Sequence, residues 1–398
     1  MYNSLPVEIW RQIFAEAVTP CEHAQRFQTT SGDDDDDDDD HDPFKLHSPH
    51  DILRTKMALY LVSKRFNSLA TEFLYEYIHV TSKNFLYSAT QHSPRGGTNK
   101  FWWTKVLVLR FGYATGGSAP LVADLLSKCV NLRFLYFSEP SIGSVFSPDQ
   151  VKSIYRSLPR SLQAIRWRRD IQPALENIPV IVLDNICQLS IGSPTMTPTH
   201  VLTLPRLTYL RAKDSFQPNN LTFPVLTAVC LVAYDRDSEL ESSPLGLFIQ
   251  GCAKQITILQ IENDRGIFTV DLPLPLIDCC TNLTTLKCDP FLVRVRRLPG
   301  FDDPDTIQHT KLTHVYNFIS RPLRNALYHH SNSREITLYP FWEDHYKWLS
   351  YGGFPALKHI TLLRSCVPDP IEEHVFSQIV SVCTDPRLEL ECGASACT

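Results

Sequence analysis

A short apolar pattern recurs along most of the chain and limits the fold more than any other feature of the sequence. Copies of the spacing L-x-x-L-x-L begin at positions 132, 162, 186, 207, 226, 256 and 283, at intervals of 19 to 30 residues. Because side chains alternate along a β-strand, the fourth and sixth positions of each copy lie on the same face. Such a period indicates a stack of similar units, each burying its apolar side against its neighbours.

The repeated unit combines a strand with a helix. Eight copies have three apolar positions: Leu132/Leu135/Phe137, Leu162/Ile165/Trp167, Ile186/Leu189/Ile191, Leu207/Leu210/Ala212, Leu226/Val229/Leu231, Ile256/Leu259/Ile261, Leu283/Leu286/Cys288 and Leu357/Ile360/Leu362. Leu312/Val315 and Ile336/Leu338 are degenerate copies. Helical spacing precedes several strands, and Ser147 to Gln150 forms a capping box. This alternation predicts an α/β fold, an irregular leucine-rich-repeat solenoid (horseshoe) over about residues 101–390, with a tail at 391–398.

The first 80 residues have helical periodicity. Pro6 suits the first turn of a helix, where its missing N–H costs nothing, and apolar residues continue at helical spacing to Phe14. A second helix carries Leu61, and a third begins near Phe66. We therefore predict a helical module over residues 1–80, joined to the repeats by a linker at 81–100.

An acidic segment interrupts this module. Asp33 to Asp40 are eight consecutive aspartates, whose like charges repel one another and leave nothing apolar to bury. We expect a disordered insertion at about 21–50 that is dispensable for folding. A loop can absorb this length because its closure entropy grows only logarithmically.

The module opens with Leu5-Pro6-Val7-Glu8-Ile9-Trp10-Arg11-Gln12-Ile13-Phe14 and later contains Leu61-Val62-Ser63-Lys64-Arg65-Phe66-Asn67-Ser68-Leu69-Ala70. These stretches resemble the opening and closing halves of an F-box. The repeats behind them are similar to the irregular repeats that follow the F-box in large fungal sets. The resemblance implies docking on a Skp-type adaptor, and through it on a cullin, by Leu5, Pro6, Ile9, Leu61 and Val62.

This resemblance implies a substrate-recognition subunit of an SCF-type ubiquitin ligase, whose repeats bind an unknown protein target. The chain would then not itself be an enzyme. One alternative is a leucine-rich-repeat interaction scaffold without ubiquitin transfer. Another is an enzyme whose site is assembled from residues distant in sequence.

Composition and motifs exclude several other classes. The net charge of -5 includes the aspartate run and does not suggest a nucleic-acid binder, and no apolar run is long enough for a membrane helix. The 12 cysteines contain no C-x-x-C pair, which favours reduced thiols in the cytoplasm or nucleus. We find no catalytic, cofactor-binding or metal-binding motif, so we expect no cofactor and no metal.

Target-binding candidates lie between the apolar positions of the strands, because alternation points these side chains to the opposite face. They are aromatic and basic: Tyr136, Arg166, Arg168, Tyr209, Arg211 and Lys213. Arginine and tyrosine are common at binding hot spots and at carboxylate or phosphate sites. We therefore predict recognition of an acidic or phosphorylated segment; the alternative is that these strand positions are simply polar and solvated.

Overall fold

The computed structural model describes residues 6–18, 49–91, 99–109, 118–137, 146–167, 175–191, 200–213, 216, 219–233, 244–263, 270–273, 277, 279–288, 293–296, 309–318, 346, 349, 354–364, 377, 380 and 387–394. They belong to two compact units. The first unit extends to Leu207 and also includes Asn219–Pro224; the second contains Thr208–Pro218 and the residues from Val225 onward. The predicted acidic insertion lies outside the described residues, except for Pro49 and His50.

The first unit begins with three helices, α1 (Val7–Val18), α2 (Pro49–Val62) and α3 (Lys64–Leu74). Their core is built on Phe14, Leu69 and Ala70, around which other apolar side chains pack. The Phe14 and Phe66 rings meet edge-on with centroids 5.1 Å apart, a favourable arrangement for aromatic rings. The predicted helical periodicity is therefore matched by a closed apolar core.

Polar contacts fix the ends and spacing of these helices. The Ser63 hydroxyl accepts a hydrogen bond from the Phe66 N–H and caps α3. Arg11 of α1 pairs with Glu72 of α3 at 2.7 Å. Helix α2 begins at Pro49, and proline is tolerated in the first turn of a helix.

A parallel sheet completes the first unit, and its strands follow one another in chain order: β1 (Tyr77–Val80), β2 (Val106–Leu109), β3 (Phe134–Phe137), β4 (Ala164–Trp167) and β5 (Gln188–Ile191). Helices lie between successive strands: α4 (Lys83–Gln91), α5 (Ala119–Lys128), α6 (Pro148–Arg156) and α7 (Val180–Leu183). The Ser147 and Gln150 capping box is confirmed at the start of α6. A separate pair joins β6 (Leu202–Thr203) to β8 (Leu221–Thr222).

This arrangement corrects the expected boundary between the helical module and the repeats. Strand β1 pairs with β2, so the sheet begins before residue 101. Helix α4 lies within residues 81–100, where we expected a linker. The physical reason is that Leu86 of α4 is fully buried, so this segment contributes to a packed core.

The strands of the second unit, called the second sheet below, are also parallel, with neighbours in the order β7 (Tyr209–Lys213), β9 (Ala228–Ala233), β10 (Ile258–Asn263), β12 (Thr285–Cys288), β14 (His314–Phe318), β15 (His359–Arg364) and β16 (Glu389–Ala394). Helix α8 (Pro244–Cys252) lies between β9 and β10. A separate pair joins β11 (Val270–Pro273) to β13 (Val293–Arg296).

The predicted apolar pattern forms the core of both sheets. Every residue of the eight complete triplets is buried. Register places equivalent positions side by side, as where Leu135 lies opposite Ile165, which in turn lies opposite Leu189. The repeat prediction is thereby confirmed for these copies, whereas Ile336/Leu338 lies outside the described residues.

A repeated hydrogen-bond arrangement sets the start of each strand. The Thr227 carbonyl accepts from the backbone N–H groups of both Thr257 and Ile258 in the next repeat. The Thr257 hydroxyl donates to the same carbonyl at 3.2 Å. Equivalent hydroxyl bonds join consecutive repeats elsewhere in the second unit, from Thr227 to Thr208, from Thr284 to Thr257 and from Thr313 to Thr284. We call these four contacts the threonine clamps.

Among the described helices, none combines the length and the apolar character needed to cross a membrane.

Candidate functional site

Exposed apolar residues lie on the first two helices. Leu61 and Val62 at the end of α2 are 74% and 63% exposed, and Ile9 of α1 is 41% exposed. Pro6, directly before α1, is also exposed, whereas Leu5 lies outside the described residues. Four of the five predicted adaptor-binding residues are therefore accessible to a partner.

Two further residues extend this surface and were not predicted. Ile13 and Met57 are each about two-fifths exposed. Each lies one helical turn from a predicted residue, Ile13 from Ile9 and Met57 from Leu61, so the i, i+4 spacing could have identified them. Helices α1 and α2 contact each other. We call Ile9, Ile13, Met57, Leu61 and Val62 the apolar face of the helical module.

A second candidate surface is the polar face of the first sheet. Tyr136 of β3 and Arg166 of β4 are register partners. The guanidinium carbon of Arg166 lies 4.9 Å from the centroid of the Tyr136 ring, which is cation–π distance. Arg166 is only 7% exposed. Arg168 lies outside the described residues.

Ser190 of β5 continues this row beyond Arg166, since the two residues are register partners. Its side chain is buried, and its hydroxyl has no hydrogen-bond partner among the described residues. On the same strand, the carbonyl oxygen of the Gln188 side chain is likewise buried and unpartnered. The row thus contains a nearly buried cation next to an unused buried hydroxyl.

Arg211 of the second sheet has a very different environment. Its Nε and Nη2 atoms donate to the Oε2 atom of Glu262 at 3.1 and 2.8 Å. Gln260 donates to the other carboxylate oxygen at 2.6 Å, and Glu262 is completely buried. This pairing corrects the expectation that Arg211 offers its charge to a target, because an internal carboxylate already neutralises it.

The remaining predicted residues of this sheet are also not freely exposed. Lys213 is buried and Tyr209 is half-buried. The reason is that neighbouring strands lie about 4.8 Å apart, so outward side chains pack against one another along the row. Alternation alone predicts the direction of a side chain but not its exposure.

Other polar side chains form stacked contacts in the second sheet. The His314 and His359 rings stack with centroids 4.7 Å apart, and His359 lies 3.0 Å from the Glu389 carboxylate. Lys287 lies over the Tyr316 ring at 5.6 Å. Within the described ranges, no group of three or more His, Cys, Asp or Glu residues is arranged to hold a metal ion.

The described cysteines are free thiols, several of them buried as the repeat pattern predicts. Burial raises the pKa of Cys129 to about 12 and that of Cys252 to about 11. The pKa of Cys280 is also raised, first by its hydrogen bond with Cys279 and then by burial. Thiols held protonated in this way are poor nucleophiles and poor metal ligands at neutral pH. They contribute to the core of each repeat.

The strand rows and their buried apolar triplets define a leucine-rich-repeat-like α/β protein. No protein-family model and no curated protein sequence matches the chain. Among solved structures, it is similar to the leucine-rich repeat-containing protein LegL7 from Legionella pneumophila, at 13% sequence identity and a TM-score of 0.36. That similarity covers 78% of this chain and 90% of the LegL7 chain.

Proposed function

We propose that the chain is a substrate-recognition subunit of an SCF-type ubiquitin ligase, in which the helical module binds a Skp-type adaptor and the repeats bind a target protein. The apolar face of the helical module carries this proposal. Its residues include Ile9, Leu61 and Val62, three of the five positions that the F-box resemblance assigns to adaptor contact, and they are exposed while Phe14 of α1 is buried. Exposed apolar residues on two helices that contact each other are typical of a surface that a partner covers.

The proposed mechanism needs no covalent step by this chain, which is therefore not an enzyme. The adaptor would connect the chain to a cullin carrying a ubiquitin-charged enzyme, and the repeats would hold the target nearby. Proximity then converts a bimolecular encounter into an effectively intramolecular reaction. The protein would work where such complexes operate, in the cytoplasm, the nucleus or both.

The test is co-purification of adaptor and cullin with the double variant Ile9→Asp, Leu61→Asp. Both residues are exposed, so the change leaves the core around Phe14 intact. In the complex, however, each carboxylate would enter an apolar contact without a partner, at a cost on the order of several kcal/mol. We expect loss of adaptor and cullin from the purified complex with an unchanged circular dichroism spectrum.

A matched control is available on the surface of the repeats. Val180 and Val201 are 67% and 63% exposed, so Val180→Asp, Val201→Asp adds the same two charges outside the helical module. This control should retain adaptor and cullin. The proposal is wrong if the Ile9/Leu61 variant captures both at wild-type levels, or if the wild-type chain captures neither.

A second candidate is a repeat scaffold that binds proteins without ubiquitin transfer. The polar face around Arg166 favours it to the same extent, since that face lies on strands and does not depend on the helical module. Blocking the proteasome separates the two candidates. Targets that accumulate in ubiquitinated form with the wild-type chain, but not with the Ile9/Leu61 variant, support the ligase; targets captured without ubiquitin support the scaffold.

A further inference from the structure

We propose that the polar face of the first sheet contains a site for a single carboxylate, supplied by an aspartate or glutamate side chain of the target protein and bound by Arg166 with Ser190. This inference rests on the proposed function in taking the partner of the repeats to be a protein. It does not depend on whether the chain also binds an adaptor.

Charge balance carries the first step. A guanidinium that is 7% exposed has lost most of its hydration, which is costly unless an opposite charge or strong acceptor replaces the water. The Tyr136 ring at 4.9 Å supplies part of that compensation. Among the described residues, no carboxylate pairs with Arg166. Within the part of the chain that the structure describes, this guanidinium therefore has no negative charge to balance it.

The second sheet contains a buried arginine with a structural role, which can be compared with Arg166. Arg211 occupies the same position in its repeat and is equally buried, but Glu262 neutralises it through two hydrogen bonds. Gln260 then satisfies the second oxygen of that carboxylate. If Arg166 served only structure, we would expect an equivalent acid beside it. Its absence from the described residues points to an acid that arrives with a ligand.

The third step is the unused hydroxyl beside this cation. Ser190 is the register partner of Arg166, and side chains of register partners in a parallel sheet project from the same face about 4.8 Å apart. The Ser190 hydroxyl is buried and has no partner within the described ranges, and buried polar groups of native proteins are nearly always satisfied. A carboxylate has two oxygens and can accept from both the guanidinium and the hydroxyl.

The charge of the site selects a carboxylate over a phosphate. One guanidinium balances one negative charge, whereas a phosphorylated residue carries about −1.5 to −2 at neutral pH and would leave part of its charge buried and unpaired. Arg166 and Ser190 are also largely buried, at 7% and 5% exposed, so the ligand we propose is a single side chain and not an extended surface. An aspartate or glutamate within a longer contact segment satisfies both conditions.

The experiment selects phage-displayed random twelve-residue peptides on the purified full chain, without adaptor. Selected peptides should contain an acidic residue whose exchange for the amide, Asp→Asn or Glu→Gln, lowers affinity at least ten-fold. The Arg166→Met variant should lower affinity for the acidic peptide by a similar factor. It should leave affinity for the amide peptide unchanged, because the two changes remove the same contact and are not additive.

Two further variants keep the test decisive. Arg133→Met removes the same charge from an exposed position just before β3 and should leave binding unchanged. Ser190→Ala should lower the affinity for acidic peptides about three- to ten-fold. Its melting temperature checks that this variant is folded. The variant therefore still tests the site if Arg166→Met does not fold. The proposal fails if the effects of Arg166→Met and the amide exchange are additive. It also fails if no acid-dependent peptide is selected, or if phosphoserine peptides bind more tightly than their aspartate and glutamate counterparts.

The adaptor experiment and the peptide experiment fail separately. Loss of acid-dependent binding would overturn the carboxylate site and leave the adaptor contact of Ile9 and Leu61 untouched. Failure to capture an adaptor would overturn the proposed ligase function and leave the carboxylate site unaffected.

Discussion

Arg166 and Arg211 occupy the same position of their repeats but have different surroundings. Each arginine directly follows the central apolar residue of its triplet, and each is 7% exposed. Glu262 neutralises Arg211, whereas within the described ranges Arg166 has the Tyr136 ring beside it and no carboxylate. The two residues should therefore respond in opposite ways to the same substitution.

We predict that Arg211→Met lowers the free energy of unfolding by about 3 to 5 kcal/mol, because it leaves the Glu262 carboxylate buried without its partner. Arg166→Met should be neutral or stabilising, because it removes an uncompensated buried charge. Urea denaturation of both variants measures this contrast. Equal destabilisation by the two substitutions would contradict it.

Cys129 should make stability depend on pH in the alkaline range. Its pKa is raised from 9.0 to about 12 in the folded protein, mainly by burial. Between these values the unfolded state loses the thiol proton and the folded state keeps it, so stability is fully present below pH 9 and falls as pH rises towards 12. At pH 10 the loss should be about 1.4 kcal/mol.

The slope of stability against pH is the measurement for this prediction. Cys129→Ala should be less stable at pH 8 because of the lost side-chain volume, but its stability should fall less between pH 8 and pH 10. Identical slopes for the variant and the wild type would show that the Cys129 thiol is not responsible.

Among the strands of the second unit, the threonine clamps add a side-chain hydrogen bond to the backbone bonds that join consecutive repeats. The Thr257 and Thr284 hydroxyls donate to the carbonyls of Thr227 and Thr257 at 3.2 and 3.1 Å. We predict that the double variant Thr257→Val, Thr284→Val lowers the free energy of unfolding by about 1 to 3 kcal/mol, since each net hydrogen bond contributes about 0.5 to 1.5 kcal/mol.

Serine provides the control for the clamps. Thr257→Ser, Thr284→Ser keeps both hydroxyls and should retain more of the stability than the valine pair, although valine suits a strand better. A valine pair as stable as the wild type in urea would mean that the clamps contribute nothing.

Some strands could be predicted from the sequence and others could not. Apolar triplets such as Leu135 and Phe137 predict their strands, because their period depends only on which face is buried. Strand β2 fits the same spacing but has the buried Thr104 at the first position. Because this residue is polar, the apolar pattern did not predict the strand. Strand β16 has Arg387 at that position and was missed for the same reason.

The pairing of polar side chains could not be predicted from the sequence. Arg211 and Glu262 are 51 residues apart and lie on strands separated by β9, so only the sheet register brings them together. The apolar face of the helical module was more predictable, because its residues follow helical spacing within single helices. Periodicity predicts directions and burial, whereas pairing of charges requires the assembled fold.

At the scale of the whole molecule, net charge opposes the proposed acidic ligand. The formal charge is -5, and Asp33 to Asp40 contribute eight negative charges. Replacing all eight by asparagine would change the net charge from -5 to +3. At about 0.01 M ionic strength, charges act over about 30 Å, so this change should increase the association rate of acidic peptides on the order of ten-fold.

Stopped-flow association at low and high salt tests this prediction. At 1 M salt, where screening reduces the range to about 3 Å, the asparagine variant and the wild type should associate at the same rate. A variant with eight glutamates keeps the charge and should match the wild type at both salt concentrations. A rate difference that persists at 1 M would mean that the effect is not electrostatic.

The carbonyl that begins each strand has a consequence for how such a chain can change over generations. This carbonyl accepts hydrogen bonds from the next repeat. The two bonded residues can be as few as 19 positions apart in sequence, as for Thr208 and Thr227, or as many as 45, as for Thr313 and Lys358. Strand spacing is the same in both cases, because backbone hydrogen bonds set it. Insertions and deletions in the connecting segments can therefore accumulate without shifting the rows of side chains. A lineage can therefore lengthen or shorten its repeats while the side chains of neighbouring strands keep their register.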